Sequence, residues 1–236
     1  VPDLEEQVAY QRAFEAMVWA IPAMAIHRFR QGLYDIPGVE DNVVIAFSGT
    51  LKARHEVITA NTAVPYISAF LDLRKGPTVV DVPAATDKAS LYGQVVDAWQ
   101  VTIAGVGPSG PDKGAGGKYL FLPPGYEGAI PEGYFPIRST SFRLALAFRS
   151  VPGKGATQAD AYAYTETLQV YPLAEAGNPQ PTRFVDGLPL SIQTLPYYDI
   201  RALQDIHDFV DVEPVQERDK VMVGMLATIG IEKGKP

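Results

Sequence analysis

Between Tyr66 and Arg149, glycine and proline cut the chain into short stretches whose apolar residues recur at every second position. Period-two alternation sends successive side chains to opposite faces of a strand, and turn signals this frequent leave no room for crossover helices. Tyr66 to Leu73 sets Ile67, Ala69, Leu71 and Leu73 against Tyr66, Ser68, Phe70 and Asp72. Thr78, Val80 and Val82 continue the theme between Pro77 and Pro83. Further on, Phe142, Leu144, Leu146 and Phe148 oppose Arg143, Ala145, Ala147 and Arg149. The pattern predicts a mainly β fold, an antiparallel β-sandwich or jelly roll, and argues against a doubly wound parallel sheet.

Helical signals flank these strands. Asp3 reads as the N-cap of a helix in which Phe14, Met17, Val18, Ile21, Met24 and Ala25 form one apolar stripe. Pro22 is expected to kink that helix or end it near Ala20. Val43–Phe47 and Glu56–Ala60 read as short strands before the main run. Thr157 with Asp160 opens a helix expected to reach about Gln169, and Thr182–Leu190 reads as a hairpin turning at Asp186-Gly187. Helical segments then cover Tyr198 to Phe209 and Pro214 to Thr228. The expected organisation is an N-terminal helix packing on the sheet (1–30), a β-sandwich core (31–156), and a helical, Pro-rich extension (157–236).

Composition limits the classes of function. Of 236 residues, 47% are hydrophobic, enough for a core, and the net charge of −7 offers no basic footprint for nucleic acid or an anionic membrane. The longest apolar stretch, Met17 to Ile26, is too short to insert across a bilayer. Cysteine is absent, which removes disulfides, thiol catalysis and thiolate metal sites. That suits a periplasmic or secreted protein and leaves the cytoplasm open. The chain begins directly on a helix cap, as expected where a leader has been removed.

Candidate chemistry centres on Asp97, which alternation places on one apolar strand face with Val95, Trp99, Val101 and Ile103. A buried carboxylate needs a cation or hydrogen-bond donors, and Arg138 and Lys118 are the expected partners. Trp99 follows two residues along, about 7 Å away by strand rise, as an indole wall for a ligand. Arg138, beside the Ser139-Thr140-Ser141 turn, is placed to grip a carboxylate bidentately. Arg143 and Arg149 flank Ala145 and Ala147, a low surface open to a ligand or another chain. His27, His55 and His207 are too dispersed for a triad or a zinc site, and His27 reads as structural. Neither a Gly-x-Ser-x-Gly elbow nor a nucleotide-binding glycine motif occurs.

The segments FLDLRKGPTVVDVP, VVDAWQ, GGKYLFLPPGY and PEGYFPIRST, in that order, resemble a bacterial family of unknown function, numbered 1254. The tail DKVMVGMLATIGIEKGKP resembles the segment that closes that domain, so the likeness runs from about Asn61 onward. It implies a β-rich, often exported protein, commonly followed in one polypeptide by a second β domain numbered 1214. On that footing a chain ending at Pro236 is expected to leave out that second domain, as a processed or truncated piece would. Where the family shows a polar run before its first matched strand, only Asn61 and Tyr66 carry over. Its asparagine after the Arg-Ser-x-Thr-like turn is missing from Ser141-Phe142-Arg143. No reaction comes with the resemblance.

These readings converge on an exported module that binds a small polar or saccharide-like ligand or pairs with a second β domain. Asp97, Tyr66 and Arg138 are the catalytic candidates, and Trp99, Lys118, Asn61 and Arg149 the ligand-binding ones. The alternatives are a hydrolase that uses Asp97 with Tyr66, Arg138 or Lys118, and an assembly subunit or homo-oligomer docking through its helical tail. No cofactor and no metal is expected.

Overall fold

The computed structural model describes residues 3–57 and 60–235. Ile58 and Thr59, within the expected Glu56–Ala60 strand, lie outside the described residues. Helix α1 runs Leu4–Tyr34, and Asp3 caps it by accepting the Glu5 N–H at 3.3 Å. The strands that follow are β1 (Val44–Ala46), β2 (His55–Glu56), β3 (Tyr66–Asp72), β4 (Thr78–Val82), β5 (Ala89–Val96), β6 (Thr102–Val106), β7 (Gly117–Leu122), β8 (Tyr134–Arg138) and β9 (Arg143–Pro152). After α2 (Gln158–Thr165) come β10 (Gln169–Pro172), β11 (Phe184–Asp186), β12 (Ile192–Gln193), α3 (Ile200–Val212) and α4 (Lys220–Leu226).

Two sheets form a sandwich. One is ordered β11-β1-β3-β9-β5-β6 and the other β10-β4-β7-β8, while β12 and β2 make a separate two-stranded piece. Pairing is mostly antiparallel; β1–β11, β7–β8 and β2–β12 are parallel. The alternation in the sequence explains the core. Ile67, Ala69 and Leu71 of β3 lie across from Phe148, Leu146 and Leu144 of β9. All six are buried against Val80, Val82, Tyr119 and Phe121 of the second sheet. Each large side chain so buried contributes roughly 1.5–3 kcal/mol.

The helical parts differ from the expectation in their extents and in which face of α1 is buried. Helix α1 continues through Pro22, whose missing N–H and ring clash are offset by tertiary burial of the turns on either side. Its buried face is the small-residue line Ala16, Ala20 and Ala23 with Met24 and His27. The bulkier Phe14, Val18 and Ile21 point outward at 59, 54 and 53% exposure. Alanine lets α3 and α4 approach α1 closely and seat Ile206, Phe209 and Leu226 there. These residues of the expected docking tail thus pack within their own chain, while Tyr198, Ile200 and Val221 stay exposed.

Helix α2 is shorter than expected because Gln169–Pro172 pairs with β4 instead. The expected Thr182–Leu190 hairpin does not form: Phe184–Asp186 adds in parallel beside β1. His27 is buried, its Nε2 3.5 Å from Asp205 Oδ1, in the structural role expected of it.

Candidate functional site

The outer face of the large sheet carries side chains in three short rows. Antiparallel register sets Tyr66 of β3 across from Arg149 of β9, and Arg149 across from Tyr92 of β5. The next row is Ser68, Ala147, Gln94, and the third Phe70, Ala145, Val96. Strands lie about 4.8 Å apart and rows about 7 Å apart. Alanine at two successive central positions therefore leaves a trough floored by methyl groups, the low surface read from the sequence.

Helix α1 and the segment bearing β12 flank this trough and leave a partly open cavity of about 350 Å³. Ile26, Phe29 and Leu33 come from α1, whereas Phe47, Leu51, Val57, Ile192, Thr194 and Leu195 come from the loops and the β2–β12 piece. Polar groups gather on the sheet side, where Tyr66, Ser68, Gln94 and Arg149 border the space together with Gln100 of the β5–β6 turn.

Asn61, Tyr66 and Arg149 come together at one end. The Tyr66 hydroxyl accepts the Asn61 backbone N–H at 2.9 Å and Arg149 Nη2 at 3.4 Å. The guanidinium lies 5.0 Å from the Tyr66 ring centroid, a cation–π contact that orients it. Asn61 contributes through its backbone, since its side-chain oxygen accepts the Ala63 N–H at 2.6 Å.

The other candidates lie elsewhere. Asp97 is buried, but it sits in the β5–β6 turn rather than on a continuous strand face. Its Oδ1 accepts the N–H groups of Trp99 at 2.8 Å and Val101 at 2.9 Å. Those two amides meet the need for donors that the sequence assigned to Arg138 or Lys118. Trp99 stacks edge-on with Trp19 at 4.9 Å and with Phe209 at 5.0 Å, joining the turn to the helices. Arg138 is exposed at the end of β8 and donates to the Tyr126 carbonyl at 2.8 Å. Lys118 is exposed on β7, across from Asp81 and 5.7 Å from the Tyr134 ring. Asp97, Tyr66 and Arg138 therefore occupy a turn and two different sheets, and of the three Tyr66 alone lines the cavity over the trough.

Sequence reasoning missed Ser68, Gln94 and the apolar roof. The first two were legible as polar members of outward faces, but the roof depends on contacts between segments far apart in the chain.

The family described as "Protein of unknown function (DUF1254)" matches residues 42–172. The chain belongs to this family. Within this DUF1254 protein the match includes the trough and stops short of α1 and β12, so the roof lies outside it. A crystal structure of the VPA0106 protein from Vibrio parahaemolyticus is similar, with a TM-score of 0.63 and 18% identity. The similarity covers 95% of this chain and 53% of that one, and at such identity it speaks for the fold alone. No curated protein matches the chain.

Proposed function

We propose that this DUF1254 protein is a binding module for a small amphipathic ligand held between α1, the trough and the β2–β12 piece. The cavity carries the reading: about 350 Å³, walled mainly by apolar side chains, with a few polar groups on one side. Small-molecule sites share that character and span roughly 300–1,000 Å³. A saccharide would leave hydroxyls against Ile26, Phe29, Leu33 and Phe47 without partners, so the lining favours a ligand with an apolar body. Binding is favoured over hydrolysis because no Asp, Glu, His or Lys lines the cavity among the described residues.

A neutral apolar fluorophore such as N-phenyl-1-naphthylamine is expected to brighten on binding. Ala147→Trp, which fills the trough floor, should weaken that binding by about tenfold or more with the fold intact by circular dichroism. Absent binding, or binding indifferent to the indole, would refute the reading.

The outward apolar stripe of α1 supports a second reading, a partner domain docked on Tyr10, Phe14, Val18 and Ile21. The chain spans 53% of the solved chain it matches, so that protein carries nearly as much polypeptide again. With the stripe uncovered, the chain alone should self-associate at high concentration, and Phe14→Glu with Val18→Glu should restore monomers. A wild-type monomer by sedimentation at those concentrations counts against this reading.

A further inference from the structure

We infer that the ligand of this cavity is an amphipathic monocarboxylate whose head group is held by Arg149, Tyr66 and Ser68. The inference rests on the binding reading above and specifies its chemistry. Its starting point is a guanidinium with too few acceptors. Nε of Arg149 is buried with no hydrogen-bond partner, and Nη2 has only the long 3.4 Å contact to the Tyr66 oxygen. No carboxylate pairs with Arg149 among the described residues. A cation beside an apolar wall, without a counter-charge, loses hydration that nothing in the chain replaces.

Three neutral groups complete a set of donors. The Tyr66 hydroxyl accepts twice, from Asn61 and Arg149, so its own hydrogen remains to be donated. Ser68, two residues along β3 on the same face, is 3% exposed, and its hydroxyl has no hydrogen-bond partner among the described residues. The Gln94 carbonyl oxygen is taken by Thr102 at 2.8 Å, which leaves its amide N–H groups for a ligand. Donors thus border one side of a cavity that is otherwise apolar.

Charge count sets the head group. With Arg149 as the cation among the cavity's lining residues, a monoanion is neutralised, whereas a phosphate monoester would bring charge in excess. A carboxylate also matches the planar fork of a guanidinium, and hydrogen bonds between charged groups are the strong ones. The apolar roof of Ile26, Phe29, Leu33 and Leu195 then takes a short aliphatic or aromatic tail.

Octanoate and octanol, which share a tail and differ in charge, test this by displacing the neutral fluorophore. Octanoate is expected to bind roughly tenfold to a hundredfold more tightly than octanol. Lowering the pH below the ligand's own carboxyl pKa should erase that preference, a readout that needs no variant. Arg149→Leu should abolish the preference, with octanoate and octanol compared at the fluorophore affinity measured for that variant, and Arg149→Lys should keep part of it. Equal affinities for octanoate and octanol, or a preference that survives Arg149→Leu, would overturn the carboxylate assignment and leave the cavity reading standing. A fluorophore that fails to bind wild-type protein would remove both.

Discussion

Replacing Glu213 by alanine is expected to lower folding stability by about 2–4 kcal/mol at neutral pH. Glu213 is the C-terminal cap residue of α3 and is only 2% exposed. Its Oε2 accepts the Phe142 N–H at 2.7 Å and its Oε1 the Arg143 N–H at 3.1 Å, joining the helical layer to the start of β9. Alanine would strand both amides where water has little access, each at a cost of about 1–3 kcal/mol. It would also remove a negative charge beside Arg143, whose Nε and Nη1 are buried without partners. Urea denaturation measures the loss, and a change within about 0.5 kcal/mol would show that this junction holds little.

The same carboxyl gives the pH dependence a definite sign. Burial raises Glu213 above the ordinary glutamate value despite the Phe142 and Arg143 amides and the Arg143 charge. The folded state then binds that proton more tightly than the unfolded chain, so its contribution is greatest below the ordinary value and falls as pH rises through the raised one. Asp72 and Asp41 behave oppositely. Burial alone would raise them, but hydrogen bonds from Arg74 to Asp72, and from Tyr34, Arg30 and Lys75 to Asp41, hold both below the usual aspartate range. Their contribution is present at neutral pH and lost as pH falls through those lowered values. As pH rises from the ordinary glutamate value through the raised one, wild-type stability should therefore carry a downward component that Glu213→Gln lacks.

How much of this was legible depended on the range of the forces involved. Alternation is local, so the sequence reports that Leu144, Leu146 and Phe148 face one way and Ala145, Ala147 and Arg149 the other, and the register of β3 on β9 agrees. The β-sandwich with flanking helices follows from the same signal. Asp97 misleads because period two was carried through a turn. Gln100, at φ 65°, reverses the chain there, and a carboxylate read as facing the core caps the bend instead. In α1 the largest apolar residues suggested the buried face, yet close helix approach favours alanine, and only the positions of α3 and α4 show which stripe is covered. Tyr66 and Arg149 were named for separate reasons and meet because register pairs them. The roof over them comes from α1 and the β12 segment, and no local pattern announces that contact.

Gly32→Ala is the sharpest test of that roof, because propensity and packing predict opposite signs. Glycine within a helix is about 1 kcal/mol less favourable than alanine, so local physics alone would have the substitution stabilise α1. Space decides otherwise. A methyl group on Gly32 would lie on the Gln193 carbonyl oxygen, 2.8 Å from its carbonyl carbon and 3.4 Å from the Thr194 Cα. Those are backbone atoms of the β12 segment and cannot swing aside as a side chain would. Helix and segment must therefore separate, at an expected cost of about 2–3 kcal/mol. Ile192, Thr194 and Leu195, which wall the cavity, would move with the segment. Weaker fluorophore binding, by about tenfold, should accompany the lost stability. Gly224 in α4 supplies the control, since nothing lies within 4 Å of a Cβ built there. Alanine at Gly224 should raise the unfolding midpoint slightly, by the propensity gain alone. If Gly32→Ala behaves like Gly224→Ala in both stability and binding, α1 does not clamp the β12 segment and the cavity has no fixed roof.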